Sequence, residues 1–270
     1  MNPWLVLILL IIFISFFLEF FISLLNLRAL VPTLPAEFRE IYNEEEYDKS
    51  QRYTKATTSF SLIDSSFSTF LTVLFLLLGG FGYIDNFARS FGYGEIVTGL
   101  IFTGALALLS SAVSLPFSVY RTFVIEERFG FNRTTVKTFL LDLVKGTLLA
   151  IIIGAPLLSL ILWFFINSGS YGWIYCWIGV VCFTLVLQFL APVLIMPLFN
   201  KFYPLEEGEL RDMILGYAQK QNFKLQGIFT MDGSKRSSKL NAFFTGFGRF
   251  RKIVFFDTLV EKLKPTEILA

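Results

Sequence analysis

The chain has 270 residues, 54% of them hydrophobic and 16% charged, and its mean hydropathy is +0.64. A soluble globular domain carries about a quarter of its residues as Asp, Glu, Lys and Arg, so this composition excludes that class and points to the membrane. The net charge of +2 creates no large basic field, and no nucleic-acid partner is expected.

The first apolar run, Trp4 to Leu25, has 22 residues. That is about 33 Å of helix against a hydrocarbon core of about 30 Å. It is too long for a signal-peptide core, no Lys or Arg precedes Arg28, and there is no small-residue cleavage pattern after it, so a retained first span is expected. Glu19 inside this run and Asp64 near the next are ionisable groups that are costly in a bilayer unless they face a polar cavity, a partner or the headgroups.

Between them, residues 28–60 form a polar segment with Pro32, Pro35 and a Tyr- and Glu-rich stretch. Ile41, Tyr42, Glu45, Tyr47 and Tyr53 make no broad apolar stripe, so the segment predicts only a surface helix with aromatic anchors. Further spans are predicted near 67–84, 96–117, 147–166 and 171–199. The last is longer than one crossing needs and must tilt, break at Pro192 or Pro197, or protrude; protrusion is expected, because it carries the chain into the C-terminal segment. Cys176 and Cys182, six residues apart on this span, point about 240° apart and are expected to be small buried apolar side chains rather than a pair or a metal site.

The second polar segment holds Tyr120-Arg-Thr-Phe-Val-Ile-Glu-Glu-Arg-Phe-Gly-Phe-Asn132. Gly130 between two phenylalanines allows a tight turn, and Glu126, Glu127 and Arg128 are available to pair with one another or with the C-terminal segment. An amphipathic stretch runs from Thr134 to Lys145, with Asn132 or Thr134 as its expected N-cap.

After residue 203 the pattern changes. A helix is predicted over 206–221, strands over 225–231, 241–247 and 252–256, a helix through Leu263, and a short or frayed helix from Pro265. The basic run Ser234 to Lys239 reads as a solvated turn. Basic residues outside the spans number five (Arg28, Arg39, Lys49, Arg52, Lys55), one (Arg89), five (Arg121, Arg128, Arg133, Lys137, Lys145), none, and twelve after Phe199. This alternation predicts an outside N-terminus, with both polar segments and the 201–270 tail cytoplasmic.

Three runs together carry a family resemblance: the Tyr/Lys-Ser-Gln stretch ending at Tyr53, Glu126-Glu-Arg-Phe-Gly-Phe-Asn132, and Ser238-Lys-Leu-Asn-Ala-Phe-Phe-Thr-Gly246. In this order and relative to five spans, the chain resembles the CAAX prenyl protease type I family, integral-membrane zinc metallopeptidases. The fold class implied is a mainly α-helical membrane protein, with about five transmembrane helices in a domain over 1–203 and the start of a small α+β zincin-like catalytic domain over 204–270. The resemblance implies that Asn241, Ala242, Phe243 and Phe244 form an edge strand that binds a peptide or protein substrate, with the lipid bilayer as the other partner.

In that family the C-terminal run leads into a His-Glu-x-x-His helix that binds zinc. This sequence has no histidine and no Asp/Glu cluster to replace one, so zinc is expected for the full-length family member and not for this stretch, which is predicted inactive alone. The function implied is cleavage of prenylated C-termini or of membrane-protein substrates, in the cell membrane of a bacterium or the endoplasmic reticulum of a eukaryote. A catalytically inactive membrane binding protein and, further off, a transporter are the alternatives at this point.

Overall fold

A computed structural model describes residues 2–40, 43–246 and 251–269. The chain forms two compact units, Met1–Phe129 and Gly130–Ala270. Among the described residues, five helices are long and apolar enough to cross a membrane: Pro3–Ala29, Glu44–Leu77, Glu95–Glu126, Val136–Asn167 and Gly169–Phe199. Their large apolar side chains are mostly exposed, as lipid-facing helices require.

In the first unit, α1 (Pro3–Ala29) starts at an Asn2 cap that accepts from the Trp4 N–H, with Pro3 in the first turn. It continues ten residues past Glu19, which lies on an exposed face. Helix α2 (Glu44–Leu77) begins at Asn43, whose side chain accepts from the Glu45 N–H, and three glutamates in its first turn complement the helix dipole. The polar segment and the apolar run expected as separate elements are therefore one helix. The span predicted near 67–84 is not continuous: α2 ends at Leu77, Gly79 adopts φ 72°, and α3 (Gly80–Arg89) starts anew. Helix α4 (Glu95–Tyr120) runs on through a π-type turn, Arg121–Glu126.

Rings tie α2 to α4 along their length. Phe67 meets Phe117 at 5.4 Å and Phe60 stacks on Tyr120 at 4.9 Å. At the polar end Tyr53 meets Phe129 edge-on at 5.2 Å and donates its hydroxyl to Glu126 at 2.5 Å.

In the second unit, α5 (Val136–Asn167) fuses the amphipathic stretch and the fourth span. Its N-cap is Thr135, which accepts from the Thr138 N–H; Asn132 instead caps the Thr134 N–H, one turn too early to start the helix. Helix α6 (Gly172–Leu190) gives way to a π-type turn at Ala191–Ile195 and then α7 (Met196–Phe199). Regular α-hydrogen bonding thus breaks at Pro192, which has no N–H to continue it. Neither cysteine on α6 is buried: Cys176 is half-buried and Cys182 exposed.

Among the described residues, the rest of the unit is built on a four-stranded sheet in the order β1-β2-β4-β3, with β1 Phe202–Pro204, β2 Gly227–Met231, β3 Ala242–Thr245 and β4 Lys252–Phe256. β2 and β4 are parallel, while β1 on β2 and β3 on β4 are antiparallel. The expected strand over 241–247 is confined to 242–245 among the described residues, and Phe247 lies outside them. Helices α8 (Glu209–Lys220), α9 (Asp257–Lys262) and α10 (Pro265–Leu269) complete the unit. Leu205, Ile214, Ile228 and Phe255 form its core, against which Leu259, Ile268 and Leu269 pack. Helix α10 is docked rather than frayed, since Ile268 and Leu269 pack on the core. Glu267 anchors its start by accepting from the Lys264 N–H at 2.8 Å.

Candidate substrate-binding edge

Among the described residues β3 is an edge strand, paired on one side with β4. The Phe256 N–H donates to the Asn241 carbonyl at 2.9 Å, and Ala242 is opposite Phe255. In an antiparallel ladder, hydrogen-bonded and non-hydrogen-bonded pairs alternate, so Phe243 and Thr245 turn their backbone groups to β4. Ala242 and Phe244 turn theirs to the open edge. The outward Ala242 N–H is held by the Asn241 side-chain oxygen at 2.9 Å, a local acceptor that a second strand would have to replace. Phe244 is 71% exposed and meets the Phe223 ring at 5.9 Å. The four residues expected at this edge are therefore consecutive along it, although Asn241 precedes the strand proper.

Beyond Thr245 the edge borders a cleft of about 240 Å³. Phe189, Pro192 and Val193 form one wall, and Thr245, Gly246 and Lys252 form another. The π-type turn at Pro192, just past α6, thus shapes an apolar wall beside the strand end.

The loop leading into β3 is held by contacts that no sequence pattern marks. Residues 130–134 and 236–238 run against each other. The Arg133 N–H and the Thr134 hydroxyl both donate to the Arg236 carbonyl, at 3.0 and 3.1 Å. The Ser238 N–H donates to the Phe131 carbonyl at 3.1 Å, and its hydroxyl to the Gly130 carbonyl at 2.8 Å. Gly130 has φ 74°, so the tight turn expected there forms and aims its carbonyl at the loop.

Arg236 is not part of a solvated turn. Its guanidinium forks onto Asp142 of α5 at 2.7 and 2.9 Å, donates to the Phe199 carbonyl at 2.9 Å, and donates to Asn200 Oδ1 at 3.1 Å. A planar fork with five donors suits this site, where a lysine could serve only part of it. Asp232 accepts from the Lys201 N–H and the Asn200 amide, and Asp257 accepts from Ser234 through both backbone and hydroxyl. One side chain facing α5 and the end of α7 thus anchors the segment that precedes the edge strand.

The residues present do not fit zinc. A zinc peptidase site needs three protein ligands, usually two histidines from one helix, with an open position for water. The chain has no histidine, and among the described residues no group of three or more Cys, Asp or Glu converges to hold a metal ion.

Comparison with known proteins decides the family. The profile described as CAAX prenyl protease N-terminal, five membrane helices, matches residues 23–201. This chain belongs to the CAAX prenyl protease family. The profile of peptidase family M48 matches residues 204–270. Among relatives, a CAAX prenyl protease 1 homolog of Arabidopsis thaliana is 36% identical over 269 residues, which cover 95% of this chain and 63% of that protein. A human CAAX prenyl protease 1 homolog is 37% identical over 85% of this chain and 50% of its own length. The crystal structure of S. mikatae Ste24p superposes with a TM-score of 0.90 at 35% identity, covering 97% of this chain and 63% of that one. The chain thus spans about half to two thirds of these relatives. As a CAAX prenyl protease family member with five apolar helices, it is an integral membrane protein.

Proposed function

We propose that this chain is the membrane-spanning and substrate-presenting part of a zinc metalloendopeptidase that cleaves prenylated C-termini or membrane-protein substrates. The observation that carries the reading is the open edge of β3, four residues from a family-matched segment whose outward backbone groups suit addition of an extended peptide. An added strand would take the outward N–H and C=O groups of Ala242 and Phe244. Phe244 would stand beside it, and the cleft past Thr245 suits an apolar group of the substrate. Because no donor set here fits zinc, the metal ligands of the active protein would lie outside these 270 residues. The inactive binding protein remains the second reading, favoured by that same donor set.

The test is hydrolysis by the full-length protein in detergent or nanodiscs. Chelator-sensitive cleavage of a prenylated peptide ending in a C-a-a-X sequence is expected. Stoichiometric zinc with no cleavage of prenylated or membrane-protein substrates would overturn the proposal.

We further propose the topology that the basic-residue count suggests, with residues 28–60, 121–145 and 201–270 in the cytoplasm. A membrane-impermeant thiol probe should react with cysteines introduced at Ser50 and at Lys137 only from the cytoplasmic side. Reaction from the opposite face alone would reverse the orientation.

A further inference from the structure

In the first unit a cavity of about 410 Å³ opens where α2 and the end of the α4 helix meet. Lys49, Arg52, Lys55 and Arg128 line it, with Ser59 and the buried ring of Phe129, and no carboxylate is among the lining residues. At 100° per residue, positions 49, 52, 55 and 59 share about a third of the circumference of α2, so the cations form a continuous wall. The opposite wall is fixed in place: the Tyr53 hydroxyl holds Glu126, and the Tyr53 ring packs on Phe129 beside Arg128. Arg52 pairs with Asp48 at 2.8 Å, but that carboxylate is not in the lining.

The same face of α2 continues below the pocket as an apolar stripe. Ile63, Phe67, Phe70 and Leu74 recur at helical spacing in the sector occupied by the cations above them. They are 62%, 43%, 62% and 39% exposed. From Ser59 to Leu74 the stripe runs about 22 Å, more than the depth of one leaflet, about 15 Å. A basic pocket directly above an exposed apolar stripe on one helix face fits an amphiphile whose head is anionic.

We propose that this pocket binds an anionic phospholipid, its phosphate-bearing headgroup among Lys49, Arg52, Lys55 and Arg128 and its acyl chains along Ile63, Phe67 and Phe70. A basic recess between membrane helices at the headgroup level is a physically suitable site for such a lipid. Its volume lies within the range of small-ligand sites, about 300–1,000 Å³. The site is independent of the edge strand and of any peptidase activity.

Native mass spectrometry of the full-length protein, released from nanodiscs of phosphatidylcholine doped with phosphatidylinositol 4-phosphate, tests this. Preferential retention of the anionic lipid is expected. The Lys55→Gln/Arg128→Gln double variant should retain it about 30-fold less tightly, at about fivefold per charge. Lys55→Arg/Arg128→Lys should keep the preference, and so should Lys220→Gln/Lys224→Gln, which removes the same charge elsewhere. Equal retention of phosphatidylcholine, or no loss in the double glutamine variant, would overturn the proposal. So would binding of soluble inositol 1,4-bisphosphate as tight as that of the lipid, since the occupant would then be a free phosphate ester. Displacement by a hexaglutamate peptide with no lipid preference would make the pocket an acidic-peptide site instead.

Discussion

Ala242→Pro in the full-length protein should lower peptide turnover by at least 100-fold while leaving fold and zinc content unchanged. The ladder alternation explains both halves of this outcome. The Ala242 N–H points away from β4 and, among the described residues, bonds the Asn241 side chain, so proline removes no bond to β4. An incoming peptide strand, however, loses that donor and meets the pyrrolidine ring at the open edge. A lost charge-free hydrogen bond accounts for about 1 kcal/mol, and misplacing the scissile bond by about 1 Å supplies a further factor near 100. Phe243→Pro is the counter-variant: its N–H faces β4, so it should destabilise the sheet itself. Turnover of Ala242→Pro within threefold of the parent would make β3 a structural edge. Thermal stability and elemental zinc, measured on the same sample, separate that outcome from misfolding.

Arg236→Ala should cost about 2–4 kcal/mol, read as a fall of about 10 °C in the unfolding midpoint, with turnover falling alongside. The Arg236 side chain is 24% and the Asp142 side chain 25% exposed, so the pair is half-buried. Truncation leaves Asp142 without its fork and strips the Phe199 carbonyl and Asn200 of a donor. Arg236→Lys should recover only part of the loss, because one ammonium cannot reach all four bonds in the same plane. Combining Arg236→Met with Asp142→Leu should cost less than the two single changes together, since no half-buried charge is then left without its partner. Strict additivity would mean that the pair is not coupled. A stable Arg236→Ala with normal turnover would show that the loop before β3 is held by its backbone bonds to residues 130–134 alone.

The elements that were legible in the sequence are those whose signal is local. Long apolar runs mark the five long apolar helices of the described residues, although not all their bounds, and the glycine between two phenylalanines marks the turn at Gly130. The second span departs from its helix because hydropathy runs smoothly across Leu77 to Ile84, while the Gly79-Gly80 break is a backbone event that hydropathy does not register. The start of that helix carries too weak a pattern for the opposite reason. Asn43 followed by three glutamates is a strong cap, but residues 44–60 carry no apolar stripe to mark the helix behind it. β1 is a three-residue strand ending in Pro204, invisible until its partner β2 is in place. Arg236 shows the limit most plainly. Three basic residues in a short run are ordinarily solvated, and only the fold brings Asp142, 94 residues earlier, within reach of one of them.

Photo-crosslinking from the strand itself tests the proposed role of the edge most directly. With p-benzoylphenylalanine replacing Phe244 in the full-length protein, irradiation with a non-hydrolysable prenylated peptide should give a covalent adduct. The substrate should compete it away, and the same group at Tyr217 should give none. Adduct formation at position 217 with none at 244 would contradict the account.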